Sequence, residues 1–95
     1  MKPLGGTILV VDDDVDIRDI LSETLNSLGS RVITAANGQQ CLDRVDKEDP
    51  ELVLLDIEMP VKNGLEVLKE LRQSGQDTTA IMITAYGTIE RAVQA

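Results

Sequence analysis

The sequence predicts an α/β fold, an open parallel sheet that is covered by helices on both faces. Short apolar runs at 7–11, 52–55 and 80–83 have the length and composition of strands that are buried on both faces. Between these runs, apolar residues recur every three or four positions, as they do on one face of a helix. Strands that alternate with helices require parallel pairing and right-handed crossovers. The predicted order is β-α-β-α-β-α-β-α, in a single domain over residues 1–95.

The first β-α unit is predicted in most detail. The strand 7–11 runs into three consecutive carboxylates, and Asp14 is placed to cap the helix that follows. Gly29 suits the left-handed position after that helix, and a short strand over 31–36 comes next. The apolar face of this first helix is predicted to consist of Ile17, Ile20, Leu21, Leu25 and Leu28.

The remaining elements follow the same pattern of turns, caps and apolar faces. A turn at 37–38 begins the second helix, and the pair 49–50 ends it before the central strand. The third helix begins after Gly64, the fourth strand covers 80–84, and Thr88 is placed to cap a final helix. The apolar positions of these helices are Cys41, Leu42, Val45, Leu65, Val67, Leu68, Leu71, Ile89, Ala92 and Val93.

Composition restricts the class of partner. The formal net charge is -8, so the surface repels phosphate backbones, and metal cations or basic protein surfaces are better partners than nucleic acid. Tyr86 is the only aromatic residue, which requires an aliphatic core. Cys41 is the only cysteine and excludes an internal disulfide. With no signal-like or membrane-spanning apolar run, we expect a cytoplasmic protein without membrane contact.

Polar residues stand where the apolar runs stop. Asp12 and Asp13 follow the first strand, Asp56 follows the third, and Thr84 follows the fourth. The carboxyl ends of parallel strands lie at one edge of a sheet, where ligands bind in such folds. Clustered carboxylates repel one another and raise at least one pKa, and a hard divalent ion such as Mg²⁺ relieves that repulsion. The chain contains no histidine, which nearly excludes a zinc site or a serine–histidine site.

A carboxylate beside Mg²⁺ and a hydroxyl indicates phosphoryl chemistry. The carboxylate can act as nucleophile and become an acyl phosphate, while the metal neutralises charge on the transferring group. Each residue also has an ordinary structural interpretation. The acidic run could be a solvated loop with a helix cap, Asp56 a turn residue and Thr84 the end of a strand. The combination at three strand ends favours the functional interpretation.

Four stretches, at 8–14, 54–60, 63–64 and 83–87, resemble the receiver domain of bacterial two-component response regulators. The resemblance covers essentially the whole chain and implies a flavodoxin-like sheet of order 2-1-3-4, without the family's fifth strand and fifth helix. It also implies a phosphorelay switch that accepts a phosphoryl group from a histidine kinase or a phosphotransfer protein and loses it slowly. Such a module is not a turnover enzyme, and in a longer chain it would act on an effector domain in transcription regulation.

The resemblance assigns a role to each matching residue. Asp56 would be the phosphoacceptor. Thr84 would be the switch hydroxyl, and Ala85 would leave room for the phosphoryl group. The implied Mg²⁺ ligands are Asp12, Asp13, Asp56 and the backbone carbonyl of Glu58.

One family feature has no counterpart in the sequence. Family members carry a lysine after the fifth strand, together with an aromatic switch residue, and none of the lysines here occupies that place. Two other functions therefore stay open. One is a Mg²⁺-dependent aspartyl phosphohydrolase that uses Asp56 and Glu58 as its catalytic pair. The other is an interaction module that is not phosphorylated.

The fourth strand also predicts self-association. In the order 2-1-3-4 the run 80–83 forms a sheet edge that is apolar on both faces. It lacks the charge, proline or bulge that usually protects an edge from pairing with another chain. We therefore expect a homodimer through this strand.

Overall fold

The computed structural model describes residues 6–57, 59, 62–75 and 78–83. In these residues it contains one parallel sheet of four strands in the order β2-β1-β3-β4, which confirms the predicted topology. Three helices connect the strands. The elements are β1 (Thr7–Val11), α1 (Val15–Ser27), β2 (Arg31–Ala35), α2 (Gly38–Glu48), β3 (Leu52–Asp56), α3 (Gly64–Gln73) and β4 (Thr79–Ile83).

The strand register brings the carboxyl ends of the strands to one edge. Val11, the last residue of β1, lies opposite Ala35 of β2 and Leu55 of β3. Asp56, the last residue of β3, lies opposite Ile83 of β4. Asp12, which follows β1, and Asp56 at the end of β3 are therefore neighbours in space, although they are far apart along the chain.

The core is aliphatic and lies mainly between the sheet and the helices α2 and α3. Alternate residues of β1 and β3, such as Leu9 and Leu55, are fully buried and belong to this cluster. Ile8 and Val10 are also buried but lie outside that cluster, as expected for the opposite face of a pleated strand. Burial raises the pKa of the Cys41 thiol to about 12, so this residue behaves as a small apolar core group.

The helix ends agree with the predicted caps. Asp14 accepts hydrogen bonds from the backbone N–H groups of Asp16 and Ile17 at the start of α1. Gly29 adopts a positive φ of 96° after the helix. The C-cap of the second helix is Asp49, which adopts the left-handed conformation with φ 47°.

Two predictions about helix faces need correction. Leu65 is 45% exposed, because the buried stripe of α3 is formed by positions i, i+3, i+4 and i+7 counted from Gly64. Leu65 lies one position outside that stripe. In α1 no residue is fully buried, and Ile17, Ile20 and the C-cap residue Leu28 are exposed. The reason is that the main contacts of α1 with the described elements are those with β1 and β2, which cover one side of the helix.

Some element boundaries differ, and some predictions cannot be compared. Strand β2 ends at Ala35, one residue earlier than predicted, and β4 begins at Thr79. The predicted final helix after Thr88 lies outside the described residues. Among the helices that the structure describes, none is both long enough and apolar enough to cross a membrane.

Candidate functional site

Three carboxylates meet at the carboxyl edge of the sheet. One oxygen atom each from Asp12, Asp13 and Asp56 lies within 4.8 Å of the others. Asp12 and Asp56 are half-buried, whereas Asp13 is exposed to solvent. The sequence predicted that these residues lie close together, and the structure confirms their proximity.

The sheet itself explains this proximity. Strands β1 and β3 are hydrogen-bonded neighbours, with Val11 level with Leu55, so Asp12 and Asp56 leave the sheet side by side. The Asp12 N–H donates to the carbonyl of Ala35 at 3.2 Å and continues the β1–β2 ladder by one residue. The sheet therefore fixes the backbone positions of two of the three residues, Asp12 and Asp56.

Short-range hydrogen bonds order the acidic loop between β1 and α1. A carboxylate oxygen of Asp12 accepts from the Asp14 N–H at 2.9 Å. The Asp14 carboxylate in turn accepts from the Asp16 N–H at 2.8 Å, at the positive end of the helix dipole. The loop that carries two of the carboxylates is thus fastened to the first turn of α1.

Electrostatics at the site favour a cation. The pKa of Asp12 is raised, first because burial disfavours the charged carboxylate and then because Asp13 and Asp14 are negatively charged neighbours. The hydrogen bond from the Asp14 backbone opposes this effect and lowers the pKa. Crowded carboxylates with a raised pKa are the state predicted for this edge in the absence of a cation, and a divalent ion would remove the repulsion.

Gly64, the first residue of α3, allows the start of this helix to pack closely against the backbone of Asp56. A Cβ atom at Gly64 would lie 2.5 Å from the Asp56 carbonyl oxygen, closer than any side chain tolerates. The Gly64 N–H donates to the carbonyl of Ile57 at 2.9 Å. Asn63 and Glu66 form a capping box at the start of this helix. The sequence indicated a turn at 63–64 but not this close approach to the site.

Arg18 contributes a contact that sequence reasoning missed. Its Nη1 atom donates to the backbone carbonyl of Asp12 at 2.7 Å. The signal in the sequence is weak. Arg18 is the only basic residue between Lys2 and Arg31, in a stretch rich in aspartate.

Three predicted site residues, Glu58, Thr84 and Ala85, lie outside the described residues. The structure describes β4 as far as Ile83, whose carbonyl accepts from the Ile57 N–H at 3.0 Å. The described end of β4 is therefore level with the start of the β3–α3 connection.

This arrangement can be compared with known proteins. Residues 8–95 match the family model described as the response regulator receiver domain. The chain belongs to the response regulator receiver family. Receiver domains are the phosphoacceptor switches of two-component systems, and they take phosphoryl groups from histidine kinases or phosphotransfer proteins. They are signalling modules and generally not turnover enzymes.

Individual relatives support this assignment. The chain is 45% identical over 87 residues to sporulation initiation phosphotransferase F of Bacillus subtilis, covering 92% of this chain and 70% of the relative. It is 48% identical over 81 residues to the transcriptional regulatory protein CpxR of Escherichia coli, covering 85% of this chain and 34% of the relative. It thus spans about a third of CpxR.

A solved structure extends the comparison to the fold. The response regulator protein TrrA of Thermotoga maritima, in complex with Mg²⁺-BeF, aligns with a TM-score of 0.74 and 44% identity. The alignment covers 84% of this chain and 70% of that chain. The flavodoxin-like receiver fold predicted from the sequence is therefore confirmed.

Proposed function

We propose that this receiver accepts a phosphoryl group on Asp56 in a Mg²⁺-dependent reaction. The observation that carries the proposal is the cluster of Asp12, Asp13 and Asp56, with ligand oxygens within 4.8 Å of one another. The similar protein TrrA was solved with Mg²⁺-BeF, which supports a site for this ion in a related fold. The source of the phosphoryl group would be a histidine kinase or a phosphotransfer protein that carries phosphohistidine.

The donor atoms suit Mg²⁺. Carboxylate oxygens, completed by water, are the ligands that this hard ion prefers. Asp12, Asp13 and Asp56 would hold it, together with the backbone carbonyl of Glu58. When bound, Mg²⁺ neutralises negative charge on the transferring group.

The protein residues would perform the transfer as follows. An Asp56 carboxylate oxygen attacks the phosphorus of the donor, a P–O bond forms and the donor's P–N bond breaks, with its electron pair left on the imidazole nitrogen. The product is an acyl phosphate on Asp56, which water hydrolyses slowly. The Thr84 hydroxyl would hydrogen-bond a phosphoryl oxygen, and Ala85 would leave room for the group.

Phosphate labelling tests this assignment. With acetyl phosphate and Mg²⁺, intact mass should increase by a single phosphoryl group, and the increase should disappear in Asp56→Asn. Asp46→Asn, which removes an exposed carboxylate from α2, is the matched control and should label like the parent. A label that persists in Asp56→Asn would refute the assignment of Asp56 as the phosphoacceptor.

The same measurement separates the two other functions. A phosphohydrolase that uses Asp56 and Glu58 would turn over a small phosphoester many times without a stable stoichiometric label. An interaction module would show neither label nor turnover. The phosphoacceptor is the best-supported function, since family members are signalling modules and generally not turnover enzymes. We also propose that residues 1–95 form a single receiver domain, that it acts in the cytoplasm, and that a homodimer forms through β4.

A further inference from the structure

The contact between Arg18 and the Asp12 carbonyl joins α1 to the metal-binding loop. Arg18 is the fourth residue of α1, at the end of its first turn, and is half-buried. Its Nη1 atom lies 2.7 Å from the Asp12 carbonyl oxygen, a short hydrogen bond from a charged donor. A bond of this kind restrains the carbonyl far more than a contact with water does.

The Asp12 carbonyl lies beyond the end of β2, so that strand offers it no N–H donor. The Asp12 N–H still donates to Ala35 of β2, but β2 ends at that residue. Asn37, two positions further on, is already the N-cap of α2. A guanidinium from α1 therefore supplies a donor at the point where the ladder ends.

The position of this carbonyl affects both neighbouring carboxylates. The carbonyl belongs to the planar peptide between Asp12 and Asp13, so fixing its oxygen fixes the orientation of the whole unit. The Asp12 side chain precedes that plane and the Asp13 side chain follows it. Both contribute oxygens to the cluster with Asp56.

We propose that Arg18 is a positioning residue for the Mg²⁺ site, which it serves by holding the Asp12–Asp13 peptide in the orientation that directs both carboxylates toward Asp56. The inference rests on the metal site proposed above. It assigns to Arg18 no direct contact with the ion.

Charge and geometry predict opposite results when Arg18 is removed. A positive charge near a cation site repels the ion, so a role through charge alone means that its loss tightens Mg²⁺ binding. Loss of a group that orients metal ligands weakens binding, typically by tenfold or more. The sign of the change in affinity therefore identifies the role.

The experiment is a calorimetric titration of Mg²⁺ into the parent and Arg18→Gln, with circular dichroism to confirm that each is folded. We expect the dissociation constant to rise about tenfold in Arg18→Gln. Arg44→Gln is the matched control, because it removes an equal charge from an exposed residue of α2 that pairs with Glu48 at 4.0 Å. Its affinity should equal that of the parent.

Unchanged or tighter binding in a folded Arg18→Gln would overturn the proposal. So would a lower melting temperature at constant affinity, which is the signature of a residue that only anchors the helix. If Arg18→Gln does not fold, Arg18→Met decides, since methionine keeps an unbranched apolar stem but has no group that donates to the Asp12 carbonyl. Weaker binding in a folded Arg18→Met supports positioning, and equal or tighter binding refutes it. A parent protein that binds no Mg²⁺ would remove the proposed site itself.

Discussion

At the scale of single residues, the acidic cluster favours metal binding at the expense of stability in the metal-free protein. Asp12 is half-buried with a raised pKa, next to two further carboxylates and close to Asp56. Its folded pKa lies above its unfolded value, so this group contributes stability at low pH that is lost as the pH rises through the folded pKa. At neutral pH the metal-free site is therefore under electrostatic strain that a cation relieves.

Substitution of Asp13 should change both the stabilisation by Mg²⁺ and the stability of the metal-free protein. In the parent, Mg²⁺ at about a hundred times its dissociation constant should raise the melting temperature by roughly 10 °C. Asp13→Asn should lose most of that shift. Without metal it should melt a few degrees above the parent, because one repulsive charge is gone. Thermal melts by circular dichroism measure both effects, and an equal Mg²⁺ shift in the variant would place the ion elsewhere.

At the scale of elements, the sequence predicted the strands, the order of elements and the caps, because these depend on local patterns. Asp14 and Gly29 were identified from residue type and spacing alone, as was the approach of Asp56 to the acidic pair. The solvent exposure of α1 depends on which neighbours cover the helix, and spacing does not report this. The Arg18 contact depends on where β2 ends, which is also a tertiary property.

The close approach of α3 to Asp56 gives a prediction for Gly64. Alanine is normally the better helix former by about 1 kcal/mol, so a gain in stability would be expected from helix propensity alone. At this position the new Cβ would lie 2.5 Å from the Asp56 carbonyl oxygen. We therefore expect Gly64→Ala to lower the free energy of unfolding by about 1–3 kcal/mol and to weaken Mg²⁺ binding.

Gly29→Ala is the control for that measurement. Gly29 has a φ of 96°, and no atom of the described residues lies within 4 Å of the place that a Cβ would take. Alanine there therefore costs about 1–2 kcal/mol through backbone strain only. Urea unfolding and Mg²⁺ titration should show similar destabilisation in the two variants but weaker binding only in Gly64→Ala. Normal Mg²⁺ affinity in a destabilised Gly64→Ala would mean that the glycine serves packing and not the site.

At the scale of the whole molecule, two apolar surfaces are open in the described part of the chain. One is formed by the exposed apolar residues of α1 and its C-cap, Ile17, Ile20 and Leu28. The other is the edge of the sheet at β4, which pairs with β3 alone among the described strands. Unpaired strand edges and exposed apolar faces both favour association with another chain.

Pairing through β4 should produce a two-fold dimer at micromolar concentration, because an exposed edge can pair with its own copy. Light scattering measures it, and Ile81→Lys should weaken it by placing a charge on a half-buried position of the edge strand. Met82 is fully buried in the core and is unsuitable for this substitution. Ile20→Lys on α1 is the comparison variant. A stable monomer would refute self-association, and a dimer lost only in Ile20→Lys would assign the contact to α1.

The pairing of β1 with β3 also determines when in folding the acidic cluster can exist. Asp13 and Asp56 are separated by almost half of the chain, and the helices α1 and α2 and the strand β2 lie between them. Bringing the two ends of so long a segment together costs conformational entropy, which is offset only when the sheet forms. A chain emerging from the ribosome therefore has no complete carboxylate cluster until β3 has been synthesised and has found β1. Ion capture by this cluster thus follows assembly of the sheet and cannot nucleate it.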